Sequence, residues 1–225
     1  MRLLVVGADY SGKQTLVAGL SRWMIDDMAC DLVRWHDHFV PPRLDSHTSF
    51  VPEGHAEVSA KSGGEAHSDE LQGDEDAAQI LSLRPAVLEQ LQRHNIWRHL
   101  HPDIFREPDS LFVGLHYSEA VYAPLYYGYG EAGTFSDRTA RARAWDGELL
   151  EAAPETVLVL LTAHPETIRA RMAAAPREHC PVPASDVEVV LRRFKEEFDS
   201  SLIPRKFELD TDLLEPGEMV DECGC

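Results

Sequence analysis

The stretch that decides the fold is residues 3–15, which read LLVVGADYSGKQT. Four apolar residues typical of a buried strand precede a segment bounded by Gly7 and Gly12, and Lys13 follows directly. This is close to G-x-x-x-x-G-K-[ST], a pattern in which backbone amides and the lysine surround an anion. The glycines allow the tight turn, and the following helix contributes the positive end of its dipole. The sequence therefore predicts a strand, an anion-binding loop and a helix, with Lys13 reaching the outer phosphates of a nucleotide.

The loop departs from that pattern at one position. Gln14 stands where a hydroxyl residue ordinarily contacts magnesium, and Thr15 follows one residue later. Thr15 can still contact a phosphate, with the metal held through water. A chance glycine turn is the competing interpretation, but the flanking strand and helix patterns favour the anion-binding loop. The predicted nucleotide-binding residues are Gly7, Asp9, Tyr10, Ser11, Gly12, Lys13, Gln14 and Thr15.

The composition is that of one globular domain, residues 1–225. A chain of this length can bury a single core, and its net charge of −18 disfavours a broad nucleic-acid-binding surface because polyanions are repelled. Its apolar runs are too short for a membrane span, and it opens with a strand rather than a signal peptide. Four cysteines show no disulfide or zinc spacing. These features predict a cytoplasmic protein, with Cys223-Gly224-Cys225 as a frayed tail rather than a metal or redox site.

Strand and helix patterns alternate along the chain. Apolar runs predict strands near 31–36, 111–115, 156–161 and 206–209. Helical periodicity predicts helices near 12–28, 77–100, 165–175 and 185–200, besides one that carries Arg138 and Trp145. This order predicts a three-layer α/β fold, with a central, mostly parallel sheet and helices on both faces. Leu88, Leu91 and Trp97 are the predicted core contacts of the 77–100 region.

Residues 43–76 have a different composition. Between Glu53 and Asp76 there are eight carboxylates and one lysine, with few large apolar residues. Such a segment buries too little apolar surface to offset the entropy of ordering it. We therefore predict a flexible acidic insert within the domain, either a solvated linker or a flap near the site.

Three later segments match what one family places after such a loop. Residues 116–122 read HYSEAVY and follow the third predicted strand, residues 162–172 connect a strand to a helix, and residues 192–210 form a last helix and strand. With residues 7–15 they resemble the P-loop nucleoside and nucleotide kinases, thymidylate kinase-like members in particular. The resemblance covers most of the chain outside 43–76. It implies a P-loop NTPase fold with a helical lid, whose arginines close over the phosphates. The lid candidates are Arg138, Arg141, Arg169, Arg171 and Arg177.

One segment departs from the family pattern. Val113-Gly114 stands where the family places Asp-Arg, in which the aspartate organises magnesium and the arginine grips the acceptor. Glu119 and Asp37 are the candidates to take over the metal or base role. An unusual substrate and a loss of catalysis are the alternatives that the sequence leaves open.

Asp37 and two histidines follow the second predicted strand. Ligands of such sheets collect at the carboxyl ends of the strands, where a single carboxylate can accept the proton of a substrate hydroxyl. Asp37 is thus a candidate base, with a turn cap as the alternative. His36 and His38 share one face of a strand, which favours polar contacts at a pocket rim over a metal pair. Aromatic residues of 117–129 can stack on a base, or pack in the core. The predicted substrate-binding residues are His36, His38, His116, Tyr122 and Arg138.

The sequence thus predicts a phosphotransferase that moves the γ-phosphoryl of ATP to a nucleoside or a (deoxy)nucleoside monophosphate. The predicted cofactors are ATP and Mg²⁺, and no set of side chains is predicted as a metal site. The predicted partners are small nucleotides, with neither nucleic acid nor membrane, and a homodimer is left open.

A nucleotide-binding protein without catalysis is the alternative, and a small hydrolytic NTPase or GTPase is less favoured because no N-K-x-D motif occurs. The predicted catalytic residues are Lys13, Asp37, Glu119 and Arg171.

Overall fold

A single sheet forms the centre of the computed structural model, which describes residues 2–31, 33–37, 47–50, 74–105, 109–177 and 180–224. Its strands are β1 (Arg2–Gly7), β2 (Val33–Asp37), β3 (His47–Phe50), β4 (Ser110–Val113), β5 (Val157–Thr162) and β6 (Arg205–Asp210). They lie in the order β3-β2-β4-β1-β5-β6. Neighbouring strands are parallel except at one edge, where β3 runs antiparallel to β2.

The helices connect these strands and cover both faces of the sheet. They are α1 (Lys13–Asp26), α2 (Asp74–Leu81), α3 (Pro85–His99), α4 (Pro102–Phe105), α5 (Leu115–Tyr122), α6 (Arg138–Ala152), α7 (Pro165–Ala174), α8 (Val187–Asp199) and α9 (Pro216–Gly224). A π-helical turn, Ala123–Tyr127, continues α5. Within the described ranges no helix combines the length and the apolar character needed to cross a bilayer.

The predicted fold class is confirmed, and the predicted strands and helices form close to the expected bounds. The sequence did not predict β3, which lies inside the 43–76 segment. Apart from β3 and the first residues of α2, that segment lies outside the described residues, so the flexible insert stays a prediction. The segment that the resemblance assigns to the lid comprises α7 and the residues after it.

The central strand β1 is buried on both of its faces. Leu3 and Val5 pack with α1 and α9 on one side of the sheet, and Leu4 and Val6 pack with α3, α5, α6 and α8 on the other. None of the four is more than 2% exposed. A continuous apolar run therefore supplies both cores at once, as expected for a parallel strand between two helical layers.

The prediction for Trp97 was wrong. Its side chain is 53% exposed, whereas Leu88 is buried as predicted. The buried face of α3 instead carries polar side chains, among them Glu89, Gln92 and His99. At 100° per residue, Trp97 lies about 140° around the helix from Gln92, and so it faces away from the core.

The prediction of a frayed tail was also wrong as far as Gly224, because α9 packs on α1. Met219 and Val220 are buried in that contact. Cys223 is partly buried against the same cluster, and burial raises the pKa of its thiol to about 11.

The parallel strands place their carboxyl ends on one edge of the sheet. Val113, the last residue of β4, pairs with Val5 of β1 and with Asp37 of β2. On the other side of β1, Gly7 pairs with Leu161 of β5. The loop that follows Gly7 therefore lies at the edge where ligands of parallel sheets bind.

We predict that Gly7→Ala destabilises the protein by about 2 kcal/mol. Gly7 has φ +148°, and an added Cβ would lie 2.6 Å from the carbonyl oxygen of Leu161, which the sheet holds in place. Denaturant unfolding measures the change. The control is Gly147→Ala inside α6, where no heavy atom lies within 4 Å of the added Cβ; it is expected to stabilise by up to about 1 kcal/mol. Equal changes in the free energy of unfolding for Gly7→Ala and Gly147→Ala would contradict this prediction.

Candidate active site

The loop between β1 and α1 forms a compact turn. Tyr10 and Gly12 have positive φ angles of 65° and 95°, and the amide of Ser11 donates to the carbonyl of Ala8 at 3.2 Å. Gly12 precedes α1, and no side-chain hydrogen bond caps the helix there. The first amides of a helix have no acceptor within the helix. The start of α1 is therefore an electropositive backbone surface available to an anion.

Lys13 folds back over this loop. Its Nζ donates to the carbonyl oxygens of Gly7 and Ala8, at 2.8 Å each, and lies 3.8 Å from Oδ1 of Asp9. The ammonium group is thereby held beside the amides at the start of α1. The predicted loop and lysine thus come together as the sequence pattern requires.

A cavity of about 520 Å³ opens above the loop. Gly12–Thr15 border it on one side, Val113 and Ser118 on a second, and the chain after β6 on a third. The volume is within the range of small-molecule sites. The segment 211–216, which the sequence analysis did not assign to the site, forms much of its wall.

The residues at the loop fit a polyphosphate. Ser11 is fully buried and its hydroxyl has no hydrogen-bond partner among the described residues. Lys13, Arg171 and Arg177 bring positive charge to the same cavity, and the carboxylates of Asp9, Asp212 and Glu215 also border it. A buried polar atom without a partner is costly, and Ser11 lies between Tyr10 and Gly12, which border the cavity.

The fit to a protein-held magnesium ion is poorer. Val113 borders the cavity where the family places its aspartate, and no group of three or more His, Cys, Asp or Glu side chains within the described ranges could hold a metal. Gln14 and Thr15 do border the cavity with oxygen atoms that a hydrated cation could contact.

Arg171 joins two walls of the cavity. Its guanidinium donates to the carbonyl of Tyr10 at 3.1 Å, and to the hydroxyl and the carbonyl of Thr211 at 3.0 and 3.1 Å. Arg177 lies over the ring of Tyr10 at 4.8 Å, with Nη1 3.9 Å from Oδ1 of Asp9. Arg171 thus braces the loop, while the more exposed Arg177 lies nearer the mouth.

Two predicted site residues, Glu119 and Arg138, lie together in a buried ion cluster and not among the residues that border the cavity. Arg138 donates to Glu89 at 2.8 Å and to Glu119 at 3.3 Å, and its guanidinium stacks on Tyr129 at 5.0 Å. Tyr129 also donates a short hydrogen bond to Glu119, and Arg93 pairs with Glu89 at 2.6 Å. We call these five residues the Arg138 cluster.

His116, predicted to bind substrate, is fully buried elsewhere. Its Nε2 lies 2.9 Å from Oδ1 of Asp146, which also accepts from the hydroxyl of Tyr117 at 2.8 Å. Oδ2 of Asp146 accepts from the amide of Leu202 and lies 3.2 Å from Nε of Arg143. His116 therefore holds α5 to α6 and does not reach the cavity.

The remaining predicted residues lie around the carboxyl edge of the sheet. The hydroxyl of Tyr122 accepts from the amide of Asp9 at 3.0 Å and so supports the loop. His36 is buried, stacks on Phe112 at 4.8 Å, and lies 3.4 Å from His99 between their Nδ1 atoms. Asp37 ends β2 beside Val113, and His38 lies outside the described residues.

Sequence reasoning missed two buried polar side chains that are not among the residues bordering the cavity. Gln92 is fully buried, and neither atom of its side-chain amide has a partner in the described parts of the chain. The buried hydroxyl of Tyr127 is likewise unpartnered there. The available signal was the spacing of Glu89, Gln92 and His99, which places all three on one helix face.

We predict that the buried carboxyl of Asp146 makes the free energy of unfolding depend on pH. Burial alone would raise the pKa of its carboxyl, but the hydrogen bond from His116, the charge of Arg143 and the Leu202 amide hold it below its ordinary value. A depressed pKa contributes stability above the unfolded pKa of about 4, and that stability is lost as the pH falls through the folded pKa. We expect Asp146→Asn to cost about 3 kcal/mol at neutral pH and progressively less below about pH 4.

Urea unfolding of both proteins across this pH range measures the difference. Glu148→Gln, an exposed change on the same helix, serves as the control and is expected to be nearly neutral. A cost that stays constant from about pH 3 to about pH 7 would refute the assignment of the charge to Asp146.

No protein-family model matches the chain, and no curated protein matches it. Among solved structures, the YorR protein of Bacillus subtilis, in complex with phosphorylated GDP, is similar with a TM-score of 0.54 and 16% identity, over 98% of this chain and 92% of that one. Deoxyadenosine kinase of M. mycoides, with bound dATP or dCTP, gives a TM-score of 0.51 and 12% identity, over 100% of this chain and 97% of that one. At such identities the likeness is one of fold, and it confirms the resemblance at that level: this chain has the fold of the P-loop nucleoside and nucleotide kinases.

Proposed function

We propose that the chain is an ATP-dependent phosphotransferase that acts on a small nucleoside-type acceptor. The observation that carries this proposal is the loop of residues 7–13, with Lys13 folded over it and a cavity of about 520 Å³ above it. A cradle of amides and one ammonium group suits the β- and γ-phosphates of a nucleoside triphosphate. Deoxyadenosine kinase, a structure of similar fold, supports a kinase-like chemistry.

The far wall of the cavity supports an adenine donor. Four successive backbone amides after β6 are already used within the chain: Asp212 donates to the side chain of Asp210, Leu213 and Leu214 to its carbonyl, and Glu215 to Glu218, at 2.8 to 3.2 Å. This wall therefore offers a base mainly acceptors. The amino group of adenine can donate to them; the N1–H and amino group of guanine can do so too, but its O6 would find no backbone donor at this wall.

Phosphoryl transfer here needs few protein groups. The hydroxyl oxygen of the acceptor forms a bond to the γ-phosphorus, the bond from that phosphorus to the β,γ-bridging oxygen breaks, and ADP leaves with the electron pair. Lys13 and the loop amides would offset the charge on the phosphates. Asp37, at the end of β2, is the proposed acceptor of the hydroxyl proton. Magnesium, which helps to neutralise the phosphates when bound, would enter with the nucleotide.

One observation favours a second candidate function, nucleotide binding without catalysis. Val113-Gly114 replaces the Asp-Arg pair of the family, and Val113 borders the cavity with an apolar side chain. A panel of nucleosides and nucleotides with labelled ATP separates the two candidates. Labelled product from any acceptor supports the kinase, and tight ATP binding without product supports the binding protein.

We expect Lys13→Ala to lower the affinity for ATP at least about tenfold and to abolish turnover, because it removes the cation beside the phosphates. Isothermal calorimetry measures the binding, and circular dichroism checks the fold. The control is Lys195→Ala, which removes a partly exposed lysine paired with Asp199 and Glu208. Undiminished ATP binding by Lys13→Ala would overturn the proposed function.

The base preference is a separate prediction. We expect ATP to bind at least about tenfold more tightly than GTP, since guanine would leave its O6 without a donor at the 212–215 wall. Competition against a fluorescent ATP analogue measures the ratio. Equal affinities for ATP and GTP would show that the 212–215 wall does not discriminate between the two bases.

A further inference from the structure

Tyr10 has a strained backbone conformation in the loop between β1 and α1. Its φ angle of 65° lies in the left-handed region, which a residue with a bulky side chain adopts at a cost. A glycine, like those at the two ends of this loop, would take the same conformation freely. Strain of this kind persists only where the surrounding contacts hold it. The side chain of Tyr10 is therefore expected to do something that a glycine cannot.

This side chain reaches across to α7 and the residues that follow it. The hydroxyl of Tyr10 donates to the carbonyl of Ala175 at 3.0 Å. Its ring is partly buried against the small apolar cluster that contains Ile168. The guanidinium of Arg177 lies over the ring, 4.8 Å from its centroid. One side chain thus connects the loop to the segment 165–177.

The α7 segment is anchored by few apolar contacts of its own. Ile168 is the one buried residue of α7, and its cluster is separate from the two cores of the sheet. Arg171 is fixed by its hydrogen bond to the backbone of the loop. Arg177, in contrast, is exposed, and in the described part of the chain its guanidinium contacts the ring of Tyr10 and lies near the carboxylate of Asp9. The orientation of Arg177 therefore depends on the loop, because ordering a long exposed side chain is entropically unfavourable.

Arg177 and Lys13 converge on one oxygen atom. Nη1 of Arg177 and Nζ of Lys13 lie 3.9 and 3.8 Å from Oδ1 of Asp9, both farther than a hydrogen bond. Both cationic side chains also border the cavity. The lysine of such a loop reaches the β- and γ-phosphates of a nucleotide. A terminal phosphate that binds beside Lys13 would therefore come within reach of Arg177.

We propose that Tyr10 is a positioning residue whose ring holds Arg177 at the mouth of the cavity, in place for the terminal phosphate of a nucleoside triphosphate. The inference rests on the proposed function and adds to it a residue that acts through Arg177. Ordering the arginine before the ligand arrives reduces the entropy that the side chain loses on binding. This role accounts for an aromatic residue at a position where glycine would be unstrained.

Calorimetric titrations with ATP and with ADP, both with magnesium, test the inference. Tyr10→Leu keeps an apolar side chain but removes the aromatic face, and we expect it to weaken ATP binding about fivefold and ADP binding less than about twofold. Tyr10→Phe keeps the face and removes only the hydroxyl, so its affinity for ATP should stay within about twofold of the unaltered protein. If Tyr10→Leu does not fold, Tyr10→Gly replaces it, because glycine takes the same φ without strain.

Three results of these titrations would overturn the inference. The first is an equal weakening of ATP and ADP binding by Tyr10→Leu, which would indicate a general distortion of the loop. The second is no weakening of either nucleotide. The third is a loss of ATP affinity in Tyr10→Phe as large as that in Tyr10→Leu, since the aromatic face would then be irrelevant.

A double substitution shows whether Tyr10 acts through Arg177. We expect Arg177→Gln to weaken ATP binding about tenfold, and Tyr10→Leu to add nothing further once Arg177 is replaced. An unchanged ATP affinity in Arg177→Gln, or a multiplied loss of about 50-fold in the double variant, would contradict the inference. The control is Arg192→Gln, which removes an exposed arginine paired with Glu196 on α8 and should change neither affinity. Failure of the unaltered protein to bind ATP is a different result, and it overturns the proposed function.

Discussion

The candidate site depends on one constraint: side chains from the surrounding helices hold the backbone of the loop between β1 and α1 in place by hydrogen bonds. Tyr122 holds the amide of Asp9, Arg171 holds the carbonyl of Tyr10, and Lys13 holds the carbonyls at the end of β1. These contacts come from three different helices, so the loop conformation is set by the assembled fold. The cost of ordering the loop is thereby met during folding, before any anion arrives.

The sequence predicted the elements whose conformation is determined by residues close together in the chain. The loop and β1 could be assigned because glycine spacing and a continuous apolar run act over a few residues. The roles of His116 and Glu119 could not, because their partners Asp146 and Arg138 lie 30 and 19 residues away. A polar residue that follows a strand can belong either to a ligand-binding site or to a buried network of hydrogen bonds and ion pairs. Only the packing of α5 against α6 decides between them.

The polar interior of α3 shows a second limit. Leu88 was found by its apolar character, but Trp97 was misplaced because a tryptophan was assumed to be buried. The helix instead turns Glu89, Gln92 and His99 inward and leaves its aromatic residue outside. Proteins tolerate buried polar groups where these are paired, as Glu89 is, or where they serve a ligand. Leu88 and Ile96 are buried on the same helix, so its inner side combines apolar and polar side chains.

The π-helical turn after α5 constrains how this sequence can vary. Tyr122 and Tyr127 are five residues apart, a spacing that would put them about 140° apart on a regular α-helix. The wider turn of Ala123–Tyr127 carries both into the core, one at the loop and the other near Glu119. Deleting one residue from this turn would rotate everything after it, Tyr129 included, out of phase with its partners. The segment should therefore keep its length through evolutionary divergence even where its side chains change.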